Sequence, residues 1–398
     1  MTTAQRIAVV RNAVGAESGG ATFEEDVWFA ALQASTSHHL VMYPSTSRTV
    51  QFVQEHHAEE RITLVHALRE PMLPARIVRR ATRALRRAPP QRPFAQLGDA
   101  LTAAGAQCAW MLGASVIPLD MPYVATVWDL QHRVQPWFPE VSANGQWRER
   151  ERLFSEYIGR AAAVVVGTHA GAAEIRAAYG EPAGGLHVIP LPTPAFALEA
   201  ATEARPHRPE GLPARYLLYP AQFWSHKNHV TALRALSLLA AAPDAPDLVF
   251  VGADRGTRDH VMRTAAALGV ETRVHSLGHV TRRTLLALYV YAEALMFPSM
   301  FGPDNLPPLE AMALGCPVIA ARVDGAEEQL GTAALLVDPL DADGFAAAVR
   351  ELRNDPDGRR AQIARGRERA GSWTATQYVA VVFDLIERRI APVRALWP

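Results

Sequence analysis

Cysteine is nearly missing from this 398-residue chain. The two that occur, Cys108 and Cys316, are far apart and lack metal-ligand spacing, which argues against a disulfide scaffold and cysteine chemistry and fits a reducing compartment. Long hydrophobic runs are missing too: nothing reaches the ~18 apolar residues of a membrane-spanning helix, and the amino-terminal MTTAQRIAVV has no signal-peptide h-region. A cytosolic protein is expected. Excess charge of either sign is absent, because 40 basic and 40 acidic residues cancel, so no whole-chain field points to DNA, RNA or an acidic polymer. Eight tryptophans are scattered rather than interleaved with basic residues, which again gives no support to nucleic-acid binding. A charged partner must therefore be met by a local patch.

What is present is a globular composition, 49% hydrophobic and 20% charged, on a chain long enough for two domains or three. Short apolar runs alternate with helical patterns: RIAVVR (6–11), HLVMY (39–43), RITLVH (61–66), VATVWDL (124–130) and AAAVVVG (161–167). That rhythm predicts a parallel sheet covered on both faces. Six prolines between Ile189 and Arg215 then interrupt it, the composition of a linker over 191–214. The alternation restarts with RYLLYP (215–220), DLVFVG (247–252), TRVHSLG (272–278), ALMFPS (294–299), PVIAA (317–321) and ALLVD (334–338). Two consecutive doubly wound α/β domains, 1–190 and 215–370, are the expected architecture, with ligands held by loops at the carboxyl ends of strands in the cleft between them.

Two such loops carry chemistry. In YPAQFWSHKNH (219–229) a strand gives way to a loop presenting Gln222, His226 and Lys227; Lys227 is either a phosphate-binding point charge or a solvated surface lysine. In FGPDNLPPLEAMALGCPVIAA (301–321), Pro307 and Pro308 open a helix that Asn305 can cap and Gly315 can end. Glu310 lies about one turn in, where a carboxylate can accept hydrogen bonds from a vicinal diol such as a ribose, or merely complement the helix dipole.

These stretches resemble the donor half of the retaining GT-B glycosyltransferases of family four (glycosyl transferases group 1), whose hallmark is a lysine after the first strand of the second domain and a Glu, seven residues, Glu signature; the run LPPLEAMALGCPVI carries the match here, with Glu310 as the second glutamate. The resemblance implies that Lys227 meets a donor diphosphate, Glu310 the ribose hydroxyls, amides near Asn305 and Leu306 a phosphate or sugar, and Val280 of SLGHV (276–280) the nucleobase. It extends to Gly19 and Gly20, a GG turn where backbone meets the diphosphate, and to VATVWDLQHRVQPWFPE (124–140) on the acceptor side. VVVGTHAG (164–171) also fits, as does GSWTATQYVAVVFDLI (371–386), the helix of a segment 371–398 that crosses back to the first domain. The match covers most of the chain and is weakest over 67–120.

Three positions depart from the family. Gln222 stands where an arginine usually partners the lysine, Gly302 stands where the first signature glutamate belongs, and Trp128 replaces the histidine before Asp129. With no carboxylate at 302, double displacement loses its nucleophile. Same-face attack, with the departing diphosphate assisted by Lys227 and no metal, is favoured. Asp129 or His132, both expected to face the cleft, are the alternative bases, His132 being equally readable as a structural histidine.

Asp341-Ala342-Asp343 looks like a metal-binding pair, but Asp343 is expected to cap the helix after it. Residues 75–92 carry Arg76, Arg79, Arg80, Arg83, Arg86, Arg87 and Arg92, either a helix that contacts an anionic membrane or a solvated face. The resulting expectation is a retaining glycosyltransferase that needs no metal or other cofactor and works in polysaccharide assembly. It would move sugar from a UDP- or GDP-sugar, GDP-mannose being the preferred donor, to a glycan, lipid-linked or small-molecule acceptor. A nucleotide-sugar epimerase on the same fold, or a sugar-nucleotide-binding protein that has lost transfer, are the competing classes.

Overall fold

β-Branched and aliphatic runs make the strands, and their burial on both faces makes the sheets parallel. Residues 5–11, 19–44, 46–66, 93–113, 117–390 and 392 are described by a computed structural model. The first seven strands are β1 (Arg6–Val10), β2 (His39–Tyr43), β3 (Ile62–Leu64), β4 (Cys108–Met111), β5 (Tyr123–Thr126), β6 (Ala163–Val166) and β7 (Leu186–Val188). They form one sheet in the order β3-β2-β1-β4-β5-β6-β7. The second sheet holds β8 (Tyr216–Pro220), β9 (Asp247–Val251), β10 (Val274–Ser276), β11 (Ala294–Phe297), β12 (Val318–Ala321) and β13 (Ala334–Val337), ordered β10-β9-β8-β11-β12-β13. Every strand pairing within the sheets is parallel.

Each sheet is doubly wound, and its strand order reverses beside its first strand. The crevice at that reversal is where such sheets take ligands. In the second domain it lies between β8 and β11, which pair Ala294 with Leu217 and Leu295 with Leu218. The lysine loop leaves β8 and the loop of 298–305 leaves β11, so two segments far apart in sequence emerge side by side.

The expected strands all form, but two were not read from the sequence. CAWM (108–111) lies in the stretch where resemblance was weakest, and LHV (186–188) is a three-residue edge strand with little apolar signal. The linker is more structured than its prolines suggest. It contains the helix Ala195–Ala200, whose Phe196 and Ala197 are buried in the second domain's core. Past the second sheet the chain crosses back: helix Ala375–Arg389 buries Tyr378, Val379, Val382, Phe383 and Ile386 in the core of the first domain. Trp373 Nε1 fixes the crossing by donating to Pro190 O at 2.7 Å.

Two cap assignments need correction. Asp341, not Asp343, caps helix Ala342–Asn354, accepting from Gly344 N at 2.8 Å. Asn305 occupies the cap position of helix Leu306–Ala313, but its side chain caps nothing and instead donates through Nδ2 to Gly302 O at 2.8 Å. Gly315 does end that helix in the left-handed region, φ +73°. The basic segment 75–92 lies outside the described residues. No helix among those described is long and apolar enough to cross a membrane.

Candidate active site

The loop after β8 is rigid because its backbone groups are tied to neighbouring elements. Tyr219 donates its hydroxyl to Lys227 O, and Asn228, left-handed at φ 53°, donates to Pro298 O at 3.0 Å and Pro339 O at 2.6 Å. Lys227 Nζ then reaches across the crevice to the β11 loop, donating to Ser299 Oγ at 3.3 Å and Asn305 Oδ1 at 3.4 Å, and lies 5.3 Å from the Phe297 ring. Neutral oxygens and a ring stabilise an ammonium less than water does. Burial accordingly pushes Lys227 down to about 8, Asp129 opposing the shift.

Helix Leu306–Ala313 meets the same crevice with few donors. Of the four amides a helix leaves open at its start, Pro307 and Pro308 have none and Asn305 N is taken by Gln329 Oε1 at 2.9 Å. Leu306 alone keeps a main-chain donor there. The amide of Asn305 is therefore not available as expected, and its contribution is the side-chain oxygen facing Lys227. Glu310 lies deeper, only 6% exposed, and Oε2 accepts from Tyr289 Oη at 2.6 Å. Burial pushes its carboxyl up to about 7, the Tyr289 hydrogen bond pulling the other way.

A cleft of about 1090 Å³ runs between the domains over these groups, and Val280, Gln222 and Leu306 line it on the second-domain side. Gly19, Gly20, Trp128 and Asp129 line it on the first-domain side. Asp129 accepts from Gln131 N at 2.9 Å and Arg150 Nη2 at 3.3 Å. His132 does not line the cleft. It is wholly buried, its ring 5.0 Å from that of Phe154, with Nε2 3.2 Å from Glu151 Oε2, so the structural role expected as its alternative is the one the fold gives it. Burial, then Arg150, holds it below the usual imidazole range.

Gly20 has a different reason from the one expected. A Cβ there would lie 2.2 Å from the Trp128 ring, so the glycine admits the indole against the helix start, where Phe23 meets it edge-on at 5.7 Å between ring centres. At Gly19 a Cβ would make ordinary contact, 3.7 Å from Leu306 Cδ1 across the cleft. Further bonds hold the two walls together: His226 Nδ1 lies 2.7 Å from Glu140 Oε1, and Gln135 Nε2 donates to Met300 O at 2.9 Å.

Residues 202–369 match the family Glycosyl transferases group 1. That match falls on the second domain. Among characterised proteins, the O-antigen chain mannosyltransferase B of Escherichia coli is 32% identical over 38% of this chain and 40% of its own length. The D-inositol 3-phosphate glycosyltransferase of Arthrobacter is 27% identical over 62% of each. The chain thus spans about 40% of the length of the first of these relatives. Among solved structures, sucrose-phosphate synthase from Thermosynechococcus elongatus superposes with a TM-score of 0.67 at 19% identity, covering 98% of this chain and 100% of that one. Anabaena HepE, in complex with UDP and glucose, gives 0.66 at 16% identity, covering 96% and 100%. The two-domain arrangement is the GT-B fold.

The second domain also presents residues that the sequence reading passed over. Gln222 Oε1 accepts from Arg255 Nε at 3.1 Å, and both line the cleft, so a guanidinium stands beside the position where the family's arginine is missing. Gly302 is not an accidental loss of a carboxylate. Its φ of +124° disfavours any side chain, and a Cβ would lie 2.4 Å from Asn305 Nδ2. Two residues on, Asp304 reaches into the first domain, where a Cβ on Gly167 would lie 1.5 Å from Asp304 Oδ2. That oxygen is buried without a hydrogen-bond partner.

Burial, then Asp129, Glu174 and Glu328, push the Asp304 carboxyl up to about 8. An unfolded aspartate titrates near 3.8. Between those values the native state keeps a proton that the unfolded chain gives up, so stability falls as pH rises through the window and levels off above it. Asp304→Asn is expected to remove that loss, gaining on the order of 4 kcal/mol at pH 8 relative to pH 5. Denaturant unfolding at the two pH values measures it; parallel pH dependence in both proteins would remove the protonated-Asp304 account.

Proposed function

We propose that this protein is a retaining glycosyltransferase that moves a sugar from a UDP- or GDP-sugar to an acceptor hydroxyl without a metal. The observation that carries this reading is the meeting of Lys227, Arg255 and Glu310 around one cleft, on either side of the strand-order reversal. Lys227 and Arg255 supply cations for a diphosphate as charge develops on it, and Glu310 supplies the acceptor for sugar hydroxyls. Val280, beside His279 on the cleft wall, is the residue proposed to contact the base.

For a retaining transfer, position 302 bears on the route. A backbone that favours glycine there leaves no carboxylate nucleophile, so the reading favours attack from the leaving-group face, with the diphosphate accepting the proton of the acceptor hydroxyl. Asp129 on the facing wall is the remaining candidate base, because His132 lies away from the cleft. The acceptor is proposed to be a glycan, lipid-linked or small-molecule hydroxyl, and mannose transfer from GDP-mannose is the first donor to test.

The test is incubation with UDP- and GDP-sugars, following nucleotide release with and without acceptor extracts. Acceptor-dependent release with an α-linked product from an α-linked donor is expected. An isomerised donor would make the protein an epimerase, and nucleotide-dependent thermal stabilisation with no turnover would make it a binding protein. Activity abolished by EDTA and restored by a divalent cation would overturn the metal-free part.

A further inference from the structure

The first-domain wall of the cleft holds a buried cation that neither the transfer chemistry nor the fold accounts for. Arg11 follows β1, and its backbone is locked there by Arg11 N donating to Tyr43 O at 3.0 Å, at the end of the neighbouring β2. The side chain is 7% exposed and lines the cleft. Its guanidinium lies 4.9 Å from the centre of the Trp28 ring, yet it makes no side-chain hydrogen bond among the described residues, and Nε is buried without a partner. Burying a guanidinium with its donors unmatched is costly, and such a group ordinarily has an anion opposite it. Burial, the largest influence, lowers its basicity; Glu25 and Glu24 act against that, and Arg48 adds to it.

The surroundings fit an anionic guest. Arg48, in the first turn of helix Ser47–Glu55, and that helix's cap Thr46 line the same wall. So do Gly19 and Gly20 at the start of helix Gly19–Gln33, whose first turn has no acidic residue. Arg48 Nη1 is held by Glu25 Oε1 at 2.7 Å, a partner that an incoming phosphate can displace, since Glu25 also lies 3.5 Å from Arg282 across the cleft. Two helix starts and two arginines therefore converge where β1 and β2 end together.

We propose that Arg11, assisted by Arg48 at the rim, binds a phosphate group carried by a substrate on the first-domain wall. The planar fork of Arg11 takes two phosphate oxygens, and Arg48 turns from Glu25 to a third. The phosphate can belong to a phosphorylated acceptor or to the donor's diphosphate, and this part rests on the reading that a sugar nucleotide occupies the cleft.

Calorimetric titrations of the full chain with glucose 6-phosphate, glucose, UDP and GDP test it. Arg11→Gln is expected to weaken the phosphate-bearing ligand by roughly 10- to 100-fold, the scale of losing hydrogen bonds to a charged group. A loss confined to glucose 6-phosphate assigns the site to the acceptor, and a loss confined to UDP and GDP assigns it to the donor. A folded Arg11→Gln protein with unchanged affinity for all of these phosphates overturns the proposal. If Arg11→Gln does not fold, Arg11→Lys, which keeps the charge and loses the fork, is titrated in its place and judged by the same outcomes. Failure of the wild type to bind either nucleotide would overturn the transferase reading, while the glucose 6-phosphate titration would still decide the role of Arg11.

Discussion

Replacing Lys227 with alanine is expected to lower kcat/KM for the sugar nucleotide by roughly 30- to 1000-fold, about 2–4 kcal/mol of lost transition-state stabilisation. The size follows from how the group is held. Its ammonium leans on Ser299, Asn305 and the Phe297 ring, none of which is an anion, so a diphosphate arriving between the domains meets a charge that is poorly satisfied and already positioned. Because burial brings this lysine down to about 8, the diphosphate must also raise it on binding. Donor binding near pH 8 is thus expected to take up a fraction of a proton, on the order of one half, measurable by titration calorimetry in buffers of different ionisation heat. Affinity should fall above pH 8. Stability moves the other way: the unfolded lysine keeps its proton to about 10.5, so the fold gains stability as pH rises from about 8 to 10.5. Full activity in Lys227→Ala, or proton uptake that survives it, would sink the assignment.

The same electrostatics explain why a glutamine at 222 is tolerable. Gln222 contributes no charge, but its Oε1 holds Arg255 at 3.1 Å and the Trp224 indole at 3.0 Å, so it orients a cation instead of being one. The Arg255 guanidinium, on the loop after β9, lines the same side of the cleft and is proposed to meet the diphosphate in place of an arginine at 222.

The parallel sheets and the lysine loop were legible because buried strands are written as local runs and the chemistry sits at their ends, whereas the reversal point between β8 and β11 came only with the strand order. Lys227 and Glu310 could be paired from sequence once the order of strands was known. What local pattern could not carry was direction. His132 sits two residues after Leu130 in a loop leading from β5 and looks like a cleft residue, but the short helix Gln131–Val134 turns it into the core beside Phe154. Gly20 reads as a phosphate-binding glycine, and only the fold brings Trp128 over it. Asp304 and Arg11 gave no signal at all. One is a loop aspartate and the other the residue just past a strand, and their burial is produced by the opposite domain or the neighbouring strand.

Glu310→Ala should cost a comparable amount, about 2–4 kcal/mol in kcat/KM, but its signature differs and is read from pH. Tyr289 occupies one lone pair on Oε2, leaving the rest of the carboxylate for sugar hydroxyls, and burial raises the group to about 7. Only the ionised form accepts from two hydroxyls at once, so kcat/KM is expected to climb with pH through about 7 and, because of Lys227, to fall again above about 8. The optimum is narrow because two buried groups of opposite charge are shifted toward each other. Glu310→Gln keeps the shape, loses the ionisation and should flatten the acid limb alone. Tyr289→Phe removes the hydrogen bond that favours the carboxylate, and so should move that limb to higher pH while leaving the alkaline limb in place. An acid limb unchanged in both variants would show that the titrating group lies elsewhere.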